Sequence, residues 1–148
     1  INMKKLVLLC FVVTLTTIAF ISCDKATSNK YSGTYTGSMT MTTDTTKETK
    51  ENVKVIVTNS LTEEDVLYLA GFRLTKKSDT EYLLTGSQVA TIIKLGFPNV
   101  DSDKIENANC KLYFSEKKLD MDITYKFFDM VELTAIKYSG TKTAEATE

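Results

Sequence analysis

The chain has 148 residues and a mass of 16.5 kDa, room for one domain, and its formal charge of −1 with a pI near 5.6 excludes the basic footprint of nucleic-acid binding. It contains no histidine and no tryptophan, which excludes His-based triads, imidazole proton shuttles and the common zinc sites. At 43% hydrophobic residues, with seven Tyr, seven Phe and abundant Thr and Val, the composition is that of a globular domain rich in strands.

Lys4 and Lys5 form a short positive region ahead of an apolar run over residues 6–21, broken only by Thr14, Thr16 and Thr17. Met3 reads as the natural start, with Ile1 and Asn2 ahead of it. As a helix the run covers about 24 Å, short of a hydrocarbon core of ~30 Å. Polar Asp24 and Lys25 follow at once. Residues 1–22 are therefore expected to be an export signal rather than a membrane span.

Its end sharpens that reading. Phe20-Ile21-Ser22-Cys23 resembles the bacterial lipobox, in which an apolar and a small residue precede a cysteine, although Phe20 stands where Leu is commoner. The resemblance implies that the Cys23 thiol receives diacylglycerol, that the leader is cut before it, and that the new amine is acylated. Each buried methylene contributes about 0.8 kcal/mol and one acyl chain anchors only marginally, so three chains would hold the domain on a membrane almost permanently. Membrane lipid is thus the expected partner, and no cofactor other than this covalent lipid is called for. Asp24 resembles the inner-membrane retention signal of enteric bacteria, which leaves the inner membrane as the second choice of location.

Cys10 leaves with the leader and Cys23 carries the lipid, so Cys110 stands alone and no internal disulfide is expected. The alternation Asn109-Cys110-Lys111-Leu112-Tyr113-Phe114 puts Cys110 on the face of Leu112 and Phe114, as a small buried hydrophobe. No histidine exists to activate it as a nucleophile.

Residues 23–30 read as the lipidated cysteine and a flexible polar tether, residues 31–140 as the folded domain, and residues 141–148 as a polar tail. In residues 31–42 the odd positions are Tyr31, Gly33, Tyr35, Gly37, Met39 and Met41, and every even one is Ser or Thr, which is strand alternation. Residues 43–51 read as a charged, Thr-rich turn. Val53, Val55 and Val57 alternate with Lys54, Ile56 and Thr58 in a second strand. After a polar turn at residues 62–65, residues 66–75 and 80–86 predict two more strands around Lys76-Lys77-Ser78-Asp79.

Residues 87–97 carry Val89, Ile92 and Ile93 at helical spacing, with Gly96 and Pro98 as stop signals, yet are rich in β-branched residues. A strand is preferred there, with a short helix as the alternative. Residues 109–115 predict a strand turning through Glu116-Lys117 into residues 118–127. In that run Leu119, Met121, Ile123, Tyr125 and Phe127 face one way, and Lys118, Asp120, Asp122, Thr124 and Lys126 the other. A turn near Phe128-Asp129 leads into a last strand over residues 130–138.

Seven to eight short strands predict an all-β fold, an antiparallel barrel with a β-sandwich as the alternative. Tyr31-Ser32-Gly33-Thr34-Tyr35-Thr36-Gly37 resembles the opening strand of calycin (lipocalin)-like barrels in small bacterial lipoproteins, and residues 133–142 are similar to their final strand. In size, leader and composition the chain also resembles small outer-membrane lipoproteins of spirochaetes, which implies anchorage in the outer membrane.

Other motifs yield little chemistry. Asn99-Val100-Asp101-Ser102-Asp103 invites a calcium loop, but the required Gly is Lys104 and the required Glu is Cys110. Asp120 and Asp122 share a strand face with Lys118 and Lys126, as on a solvated surface. Glu63-Glu64-Asp65 sits in a turn. Gly33 and Gly37 lie within a strand pattern and cannot form a phosphate loop. Tyr31, Tyr35, Tyr113, Phe114, Tyr125 and Phe127 are expected to fill the core rather than line a cavity. The leading expectation is a non-enzymatic, lipid-anchored envelope protein with a structural or surface-contact role. The alternatives are a carrier of a small apolar ligand and an inhibitor of a wall-degrading enzyme.

Overall fold

Alternation in the first half of the folded domain becomes β1 (Gly33–Thr42), which turns Tyr35 and Met39 inward and threonines outward, in a computed structural model that describes residues 29–145. The other strands are β2 (Lys47–Asn59), β3 (Leu67–Leu69), β4 (Phe72–Arg73), β5 (Thr75–Lys76), β6 (Glu81–Thr85), β7 (Ile105–Ser115), β8 (Lys118–Phe127) and β9 (Thr134–Ala144). All pairings are antiparallel, and the sheet order is β4-β3-β2-β1-β9-β8-β7-β6-β5. The two edges, β4 and β5, are two residues each and are joined through Leu74. The sheet is a nearly closed barrel, which leaves little exposed edge to template aggregation.

Nine strands replace the expected seven to eight because Ala70 and Gly71 split the segment 66–75 into a tight hairpin. Both residues have left-handed backbones, φ +48° and +85°, and Leu69 pairs with Phe72 across them. The turn expected over residues 43–51 shrinks to residues 43–46. Cross-strand pairing of Thr40 with Thr49, whose hydroxyls are 2.9 Å apart, continues the ladder through the charged stretch. β7 starts at Ile105, earlier than expected, and absorbs a bulge at Asn107 (φ +53°). β8 spans the expected residues. The last strand is shifted. Residues 130–133 form a loop, and residues 141–144, expected in the tail, belong to β9.

The preferred strand at residues 87–97 is corrected to a helix, α1 (Val89–Gly96). Val89 with Ala90, and Ile92 with Ile93, are adjacent pairs that are buried together. A period-two strand would expose one member of each pair, whereas a helix puts both on one face. Tertiary burial overrides β-branched propensity here. The helix packs over the barrel so closely that a Cβ on Gly96 would lie 2.7 Å from Met39 Sδ.

Of the aromatics expected in the core, Tyr31, Tyr35, Phe114 and Tyr125 are buried, together with Met39, Leu112, Met121 and Ile123. Met41 and Phe127 are half-buried against them. Tyr113, expected in the core, is instead on the outer face, because it alternates with buried Leu112 and Phe114 along β7. Tyr31 stacks on Phe114 with centroids 4.7 Å apart, and Tyr82 meets the same ring edge-on at 5.6 Å. The Tyr35 hydroxyl donates to the Tyr31 carbonyl at 2.9 Å, and the Tyr138 hydroxyl to the Val53 carbonyl at 3.2 Å. Among the described residues every buried side-chain nitrogen or oxygen has a hydrogen-bond partner.

Candidate functional site

Cys23, the residue expected to carry the lipid, lies outside the described residues, as do the leader and residues 23–28 of the tether. The structure does define where the tether joins the barrel. The Asn29 side-chain oxygen accepts a hydrogen bond from the Tyr31 N–H at 2.9 Å, and its carbonyl accepts from Ser32 N–H at 2.9 Å and Ser32 Oγ at 2.7 Å. This Asx-type turn fixes the chain direction just before β1.

Lys142 locks the junction. Its ammonium donates to the Lys30 carbonyl at 2.7 Å, lies 3.5 Å from Glu145 Oε2, and sits 5.8 Å from the centre of the Tyr35 ring. Its side chain is only 5% exposed. Gly33 makes room for it, because a Cβ there would come within 3.2 Å of Lys142 Cδ and Cε. Reading residues 141–148 as a polar tail missed this role. A lysine clamped by a carbonyl over a hundred residues away leaves no local signal.

Beside the junction, Asn29, Lys30, Tyr31, Asp65, Lys76, Asp79 and Tyr82 border an open depression of about 370 Å³. Lys76 lies 3.6 Å from Asp65 and 3.5 Å from Asp79. Burial pushes the Tyr82 hydroxyl pKa up. The carboxylates of this depression are paired with Lys76 at its rim, in solvent-exposed ion pairs that water screens.

The other acidic motifs are brought together with bases rather than with each other. Asp120 pairs with Lys118 at 3.5 Å, Asp122 with Lys137 at 4.0 Å and Glu63 with Arg73 at 3.1 Å. Asp101 accepts from the Asp103 N–H at 3.3 Å, capping a 3-10 turn, Ser102–Lys104, so this carboxylate serves the backbone. No protein-family model matches the chain, and no curated protein or solved structure is similar to it.

Cys110 is fully buried, with Sγ 3.9 Å from Met121 Sδ. Burial, assisted by the charge of Asp122, pushes its thiol pKa up to about 12. Such a thiol stays protonated at neutral pH and is a poor nucleophile. In a chain carrying both Cys10→Ser and Cys23→Ser, native Cys110 should resist maleimide at neutral pH and react fully once the chain is unfolded in guanidinium. Rapid labelling of the native protein would place the thiol at the surface.

Proposed function

We propose that the chain is a lipid-anchored protein of the bacterial envelope, held at Cys23, with a non-enzymatic barrel that works through its outer surface. The observation that carries this reading is the leader ending in Phe20-Ile21-Ser22-Cys23. The geometry of the barrel supports the surface role. The interior is occupied by large buried side chains rather than left open, and the one thiol of the described domain is protonated and enclosed. The clamped junction at residues 29–32 supports an anchor at one end of the barrel, the end at which β1 begins. The resemblance to spirochaetal lipoproteins favours the outer membrane.

Cys23→Ala tests the anchor. In the parent, labelled palmitate should enter the protein and the leader should be removed. The mutant should accumulate as the uncleaved precursor without label, and undiminished labelling would remove the claim.

A further inference from the structure

We propose that residues 128–133, the β8–β9 loop, form a docking surface for a protein partner that offers an apolar groove rimmed by lysine or arginine. Phe128, Met130, Val131 and Leu133 are 59–96% exposed, four large apolar side chains within six residues. Elsewhere on the described surface Ile56, Leu61, Leu95 and Tyr113 stand singly. A contiguous apolar patch of this kind marks an interaction site more often than isolated exposed residues do. The core has no use for these side chains, because Thr134 and Ile136 occupy the inward positions of β9 that follow.

Charge selects the occupant. Asp129 and Glu132 interleave the apolar residues, and residues 128–136 contain no lysine or arginine. The Asp44 carboxyl, on the neighbouring β1–β2 turn, raises the pKa of Glu132. Lys126 is engaged with Glu106 at 3.4 Å and Lys104 with Asp101 at 3.9 Å, which leaves Lys47, at the foot of the β1–β2 turn, against the carboxylates of Asp44, Asp129 and Glu132. An acidic, apolar loop is repelled by anionic headgroups and complements a basic, apolar groove.

Position agrees, a point that rests on the anchor proposed above. Ala135 pairs with Thr42 at the finish of β1, so the loop lies at the end of the barrel remote from the tether. Ten residues of β8, tilted as barrel strands are, make the barrel about 25 Å tall. Residues 24–28, ahead of the clamped turn, can span about 18 Å at most, less than that height. The loop therefore faces away from the anchoring bilayer.

The test places a photo-reactive benzophenone side chain at Val131 and, separately, at Lys117 in the remote β7–β8 turn, with irradiation of intact host cells. A protein adduct should form only from position 131, and its cross-linked peptide should hold apolar residues flanked by Lys or Arg. Reversing the loop's charge with Asp129→Lys and Glu132→Lys should cut its yield about tenfold, while the variant melts with the parent. An adduct to lipid, to a second copy of this chain, or to no molecule would overturn the proposal. So would a yield indifferent to charge reversal in a folded variant. Palmitate incorporation is read in the same cells: cross-linking by an unlabelled chain would sink the anchor and leave the docking surface standing.

Discussion

Ile123→Asp should lower the melting temperature by about 10 °C or more, while Thr124→Asp should leave it nearly unchanged. The two residues are neighbours on β8, one fully buried between Cys110 and Ile136, the other exposed. A carboxyl at position 123 has to be desolvated without a partner, at a cost of about 3–5 kcal/mol. At position 124 it joins a polar outer face, where a change of under about 1 kcal/mol is ordinary. The pH dependence has a definite sign. A buried carboxyl has its pKa raised by desolvation, so the Asp variant is least destabilised in acid and loses stability as pH rises toward neutrality. Equal melting of the two variants would put the phase of β8 in error.

Gly37→Ala should be comparably damaging. Gly37 pairs with Gly140 across β1 and β9, and a Cβ on it would lie 1.9 Å from the Ser139 carbonyl oxygen and 2.4 Å from Gly140 Cα. Those are backbone atoms, so the strands themselves have to part. A loss of about 3 kcal/mol or more is expected, at the upper end of overpacking effects. Gly96→Ala is the control: its Cβ meets only the Met39 thioether, a flexible neighbour that can rotate, and the change should cost about 1 kcal/mol or less. Thermal melts of the two variants check the contrast. A Gly37→Ala protein as stable as the parent would mean that β1 and β9 are not so closely joined.

The strands most legible in the sequence were those with one buried and one wet face. β8 could be read residue by residue because Leu119, Met121, Ile123 and Tyr125 alternate with charged or hydroxyl side chains. Period-two patterning is a direct record of burial on one side of a sheet. Where both faces are wet, as at residues 47–52 of β2, the pattern vanishes although the ladder persists. Two left-handed residues at Ala70-Gly71 were hidden because alanine rarely adopts that conformation. Helix α1 carried both signals, and only its contact with the barrel decided between them.

Less of the candidate site was legible. The lipidation proposed at Cys23 rests on a local pattern, Phe20-Ile21-Ser22, that needs no tertiary contact to be read. Cys110 was correctly placed in the core by its alternation with Leu112 and Phe114. The Lys142 clamp and the apolar β8–β9 loop were not foreseen, since residues 130–133 looked like the start of a strand. The exposure of such a loop depends on where the next inward position falls, and that is set by pairing of Tyr125 with Thr134.

Native mass spectrometry of the mature protein, extracted in mild detergent from its own cells, tests the central claim most directly. The account predicts a chain beginning at Cys23, with diacylglycerol on the sulfur and an acyl group on the amine, and no further molecule held in the barrel. An unmodified Cys23, or a stoichiometric small apolar molecule displaced by fatty acid, would contradict it.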